Sequence, residues 1–147
     1  MTRKVSDRAW ALLLARWLLG LMFFMGAIWR VFQLGPVEHA RMFFVEPYAE
    51  TFLPASLLWI AGTSVPWVEL VAGTLLLVGL WVRPALLGVG AVLLLVTFGH
   101  LVLEPLHSFS SHVIPRAALV LFLLSMPRDQ DVLSLDHWLG NRARAGG

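Results

Sequence analysis

Only 14% of the 147 residues are charged and 59% are apolar, whereas a soluble domain carries about 25% charged residues. With a mean hydropathy of +0.78, this composition is that of an integral membrane protein, and the net charge of +2 reflects loop arginines, since no basic patch with interleaved aromatics points to nucleic acid. The chain has no cysteine, which excludes disulfide exchange, thiolate ligation and iron–sulfur clusters.

Four apolar runs, at about 10–34, 58–82, 84–103 and 107–126, predict an all-α fold, a single membrane-embedded four-helix bundle. Long unbroken runs favour helices over a barrel, whose strands alternate over about ten residues. The first run follows a basic segment, but it contains Arg16, lacks an A-x-A site and precedes three further runs, so it reads as a retained span. In the loop that follows, 36–44 has two readings: an amphipathic turn lying in the membrane interface, or an apolar cap over the bundle. Pro66, inside the second run, removes a backbone donor and predicts a kink that exposes carbonyls. Pro84 suits a first helical turn, and Pro127 ends the fourth run, whose clearly apolar part is 113–126. Beyond it, Ser134 as N-cap and Trp138 as aromatic anchor predict a short interfacial helix.

Orientation follows from the arginines and lysine. Arg3, Lys4, Arg8, Arg83, Arg128, Arg142 and Arg144 fall on one side, while the opposite loops carry Arg41 against Glu38, Glu46, Glu50 and Glu104. The positive-inside rule then places both termini in the cytoplasm and the two larger loops outside, in the inner membrane of a prokaryote.

Polar residues cluster in the outer halves of the spans: Trp29, Arg30 and Gln33, then Trp59, Thr63, Ser64 and Trp67, then Thr97 and His100, then His107, Ser110, Ser111, His112 and Arg116. Glu69 lies beneath them, about 16 Å below the outer end of its span at a rise of about 1.5 Å per residue. A carboxylate near the midplane of a hydrocarbon core of roughly 30 Å is a functional-site hypothesis by default. Together these residues suggest a cavity open to the outer side and floored by the carboxyl. The plainer readings stay open beside it. Arg16 and Arg30 lie within snorkelling distance of the interfaces, and Glu69 could serve as the buried partner of an arginine. The many glycines in the spans read as points of close helix approach, and His39, His107 and His112 as solvated loop or helix-start residues. His107 and His112 are five apart, not four, so a metal pair is weakly supported, and a bis-histidine haem lacks a second deep histidine beside His100.

Arg16-x3-Gly20-x5-Gly26-x3-Arg30, followed by ELVAGTLLLVGLWVRPA (Glu69 to Ala85) and by His100, resembles the DoxX/DoxD-like family of small four-helix membrane proteins over residues 12–103. The resemblance implies a quinone-associated or redox-complex subunit, with Arg16, Arg30, Glu69, Arg83 and His100 at the positions of the family's polar pattern. Arg30 departs from that pattern, which commonly has lysine there, and an arginine does not titrate.

These readings combine in one expectation. A quinone headgroup sits in the outer cavity against Trp29, Trp67, Arg30, Thr97 and His100. Glu69 and His100 act as the catalytic pair, Glu69 relaying the proton, while Arg16 and Arg83 serve as structural charge partners. Electrons come from another redox subunit or a periplasmic donor, and the chain sits among membrane lipids with oligomerisation open. The main alternative is a non-catalytic anchor or assembly subunit. A haem- or lipid-binding protein and a transporter are further readings.

Overall fold

The computed structural model describes residues 5–104 and 112–145, and every regular element among them is helical. Helix α1 (Asp7–Ile28) begins at Ser6, whose hydroxyl accepts from the Ala9 N–H at 3.3 Å. It continues without a break through a π-helical segment, Trp29–Leu34, so that Asp7–Leu34 forms a single 28-residue rod. Gly35, at φ +87°, turns the chain into the short α2 (Pro36–Ala40) and a second π segment, Arg41–Val45. Then come α3 (Ala55–Val78), α4 (Val82–Leu103), α5 (Val113–Ser125) and α6 (Leu135–Ala145).

Three of these helices, Asp7–Leu34, α3 and α4, are long and apolar enough to cross a membrane, which makes this a multi-pass membrane protein. Helix α5 has 13 residues and rises about 20 Å, short of the roughly 30 Å a span needs. The first part of the expected fourth span, with His107, Ser110 and Ser111, lies outside the described residues.

Helices α1 and α3 pack closely along their length, and glycines set the spacing. A Cβ on Gly73 would fall 2.7 Å from the backbone N of Phe24, and one on Gly20 would fall 3.2 Å from the Gly73 carbonyl. Around this crossing Leu12, Leu19, Phe23, Leu76, Leu86 and Val89 form the centre of the core.

At the end of the bundle that carries α6, polar side chains close the helix ends. Arg16, 1% exposed, donates from Nη1 to the Leu76 carbonyl at 2.7 Å and from Nη2 to the Leu133 carbonyl at 3.1 Å. Trp17 Nε1 donates to the Leu77 carbonyl at 3.1 Å, and the Leu75 carbonyl accepts from Gly79 and Leu80. Three of the last four carbonyls of α3 are thereby satisfied. Asp136 accepts from the N–H groups of Trp81 and Val82, both at 2.9 Å, and so caps α4 from a distant part of the chain. Arg83 does the same for the end of α5, donating to the carbonyls of Leu124 and Met126 at 2.7 and 2.6 Å.

At the opposite end, α2 lies directly on α3. A Cβ on Gly62 would fall 2.6 Å from Ala40 Cα, so only glycine admits the contact. Of the two readings of 36–44, the cap over the bundle matches this packing: Ala40 is fully buried and His39 is 4% exposed.

Gly79 combines a left-handed backbone, φ +77°, with a site where a Cβ would fall 2.4 Å from Arg16 Nη1. Gly79→Ala is expected to cost about 2 kcal/mol or more, from αL strain and displacement of the guanidinium. Thermal melts of the detergent-solubilised protein check this against Gly140→Ala, inside α6, where an added Cβ meets nothing within 4 Å and the melting temperature should not fall.

Candidate functional site

A cavity of about 610 Å³ opens between α1, α2, α3 and α4 at the loop end of the bundle. Its charged centre is an ion pair between Arg30, on the π-helical extension of α1, and Glu69 on α3. The carboxylate side chain is 8% exposed and the guanidinium 32%, so the acid forms the floor and the base reaches down to it. The widened π turn at Trp29–Leu34 sets the direction from which Arg30 approaches, as such segments often do at functional sites. Arg116, on the first turn of α5, adds a second positive charge within electrostatic reach of Glu69 and lies 5.7 Å over the Phe23 ring. Its Nε is buried with no hydrogen-bond partner, and the ion pair of Glu69 is with Arg30.

Of the residues expected to form the site, Trp29, Arg30, Glu69 and His100 line this cavity together. His100 Nδ1 donates to the Val96 carbonyl one turn back, at 2.7 Å, which fixes the ring against its own helix. Trp67 and Thr97 do not line the cavity. Trp67 is 48% exposed on the outer surface of α3, and the Thr97 hydroxyl donates to the Leu93 carbonyl at 2.7 Å. Thr63 and Ser64 likewise turn their hydroxyls onto carbonyls of their own helix. Arg16 does not approach Glu69; its ion-pair partner is Asp131, with Nε to Oδ2 at 3.5 Å.

Two polar residues of the cavity, His39 and Tyr48, had no place in the expected site. His39, read from sequence as solvated, is buried because Pro66 lacks the N–H that would bond the Gly62 carbonyl. His39 Nδ1 donates to that freed carbonyl at 2.8 Å. Phe43 and Phe44 flank its ring at centroid distances of 5.2 and 5.6 Å. The sequence signal was the Gly62-x3-Pro66 spacing, which marks both an unpaired carbonyl and a place where another element can approach. Tyr48 is 7% exposed and packs its hydroxyl against Gly99, where a Cβ would fall 2.5 Å from the oxygen. Burial pushes the Tyr48 phenol up, so it stays a hydrogen-bond donor at neutral pH.

A second cavity, of about 720 Å³, lies between α4, α5 and α6 and is lined by Arg83, Arg128, Asp131, Asp136 and His137. Arg83 and Asp136 are already committed to helix ends, and Asp131 to Arg16. Burial pushes the Asp131 carboxyl up, against the opposing charge of Arg16. This cavity is part of the clamp on the α3–α4 turn.

Breaking the Arg30–Glu69 pair should be asymmetric. Arg30→Gln strands a carboxylate that is 8% exposed and should cost about 3 kcal/mol. Glu69→Gln leaves a guanidinium that can snorkel outward and should cost nearer 1 kcal/mol. The double variant should recover part of the larger loss, and chemical or thermal denaturation of all four proteins measures the cycle.

Burial, with a further contribution from Arg30, lowers the affinity of His39 for a proton below its ordinary value of 6.5, and the bond to Gly62 opposes this in part. Below that pH the unfolded chain therefore binds more protons than the folded one. The stability that neutral His39 contributes is complete above about pH 6.5 and is lost as the pH falls. The melting temperature should drop between about pH 7.5 and 5.5, and His39→Asn should flatten that part of the profile.

A family model described as methylamine utilisation protein MauE matches residues 8–113. No curated protein and no solved structure gives a significant match. The expected DoxX/DoxD-like family is thereby corrected, because the matching family is a different one. The motif behind that expectation has a physical origin: Gly20 and Gly73 form a helix crossing, Gly79 is a left-handed cap and Arg83 closes α5. Such spacings follow from helix packing in lipid and recur between families. The match to MauE covers well over half of the 147 residues, and the chain belongs to the MauE family.

Proposed function

We propose that this chain is a membrane component of a redox system, that its loop-end cavity holds a quinone headgroup, and that Glu69 accepts and passes on the coupled proton. The family's name ties it to methylamine utilisation, and the carbon of methylamine yields energy only by losing electrons. Interconversion of quinone and quinol moves two electrons and two protons within the membrane, where this cavity lies.

The single observation that carries the reading is the ion pair of buried Glu69 with half-buried Arg30, flooring a lined cavity. The volume of about 610 Å³ falls within the roughly 300–1,000 Å³ of small-molecule sites. Phe43, Phe44, Val65 and Val96 supply apolar walls for a ring, and Arg30 supplies a guanidinium donor for a carbonyl oxygen. Proton arrival at Glu69 releases Arg30 from its ion pair and frees the guanidinium to donate to that oxygen, which couples proton movement to ligand contact. Electrons pass to or from a partner, either a second redox subunit or a periplasmic protein. The basic residues Arg8, Arg83, Arg128 and Arg142 support a cytoplasmic α6 end, with the cavity opening to the outer side of a prokaryotic inner membrane.

The test is mass spectrometry of the organic extract of gently purified protein, giving quinone per polypeptide. Near-stoichiometric quinone is expected, falling about tenfold in Glu69→Gln and His100→Ala. Quinone at the bulk-lipid level in wild type and variants alike would overturn the reading and leave an anchor or assembly subunit in its place.

A further inference from the structure

His39 is a buried imidazole that the proton path above does not use. Its tautomer is set by the backbone. Pro66 cannot donate to the Gly62 carbonyl, and His39 Nδ1 takes that role at 2.8 Å, so Nδ1 carries the hydrogen. In the neutral ring the other nitrogen, Nε2, then has only a lone pair to offer. The residue lines the same cavity as Glu69 and Arg30, and Phe43 and Phe44 hold its ring in place. Gly62 makes the arrangement possible, since any side chain there would push α2 and its histidine away.

We propose that His39 is a ligand-contacting residue of this cavity whose Nε2 accepts a hydroxyl hydrogen, so that the site selects the reduced, hydroxyl-bearing quinol over the quinone. This rests on the quinone reading of the cavity and gives it a direction. The Glu69 carboxylate and His39 Nε2 are among the acceptors that line the cavity, and a quinol carries two hydroxyl donors to meet them. A quinone carries two carbonyl acceptors, and one of them set against Nε2 leaves two lone pairs facing each other with no hydrogen between them. Sites built around a buried hydrogen-bonding group reject analogues that leave the group unpaired. Burial also keeps the imidazole neutral at physiological pH, which preserves the acceptor.

The experiment compares binding of a short-tailed benzoquinone and its chemically reduced quinol, under argon, to the purified full chain by titration calorimetry. Wild type is expected to bind the quinol about tenfold more tightly than the quinone. His39→Asn places an amide donor where Nδ1 stood, which keeps the bond to Gly62, and removes the acceptor. Above about pH 7.5 it should melt like wild type and bind both forms within about twofold of each other. Equal affinities in wild type, or an undiminished preference in His39→Asn, overturn the assignment while leaving the quinone reading intact. Failure of wild type to bind either form overturns the quinone reading itself. Should His39→Asn not fold, Pro66→Ala replaces it. The restored N–H competes for the Gly62 carbonyl and unlocks the tautomer, so the preference should narrow, and an unchanged preference overturns the assignment.

Discussion

Within hydrocarbon no water is available to satisfy a backbone group that a helix leaves unpaired, and each such group must find its partner inside the protein. The polar side chains of this bundle are placed largely by that demand. Arg16 serves the Leu76 carbonyl, Arg83 those of Leu124 and Met126, Asp136 the N–H groups of Trp81 and Val82, and His39 the carbonyl that Pro66 leaves open. Each lies where a helix ends or its ladder is interrupted, and each joins two elements distant in sequence. The apolar surface, with Leu14, Leu18, Leu87 and Leu94 more than half exposed, can remain uniform because these contacts carry the specificity.

Glu69 stands apart from this pattern. Its carboxylate serves no helix end; its partner is another charge, Arg30, at the floor of a cavity, with Arg116 nearby. A buried ion pair is weak evidence for stability, because the loss of hydration offsets much of the attraction. Its position between two long helices, under an opening lined by His39, Tyr48 and His100, is what makes it a functional candidate.

Much of this was legible in the sequence. Apolar run lengths located the three long helices, and the uneven polarity of the runs brought Trp29, Arg30, Glu69 and His100 into one cavity. The partner of Arg16 was not legible, because Asp131 reaches it through the fold of the tail, over a separation no periodicity encodes. Trp67 was misjudged because depth along a helix says nothing of which face a residue occupies, and a helix this uniformly apolar gives no stripe to read. His39 and Tyr48 sit in a loop whose path over α3 depends on Gly62 and Gly99, contacts that only the assembled helices reveal. The family assignment failed for a related reason: the glycine and arginine spacing reports how helices meet, and chains of different descent meet in similar ways.

The clamp on the α3–α4 turn also has a consequence for biosynthesis. Asp131, Leu133 and Asp136 are translated after the helices they serve, yet Arg16 and the start of α4 depend on them. While the ribosome is still making α5, Arg16 already sits in α1 with its carboxylate partner unmade, and the first N–H groups of α4 await a cap. The nascent bundle therefore stays loose at this end until α6 emerges, which leaves an interval after insertion in which the helices can still shift past one another before the tail locks them.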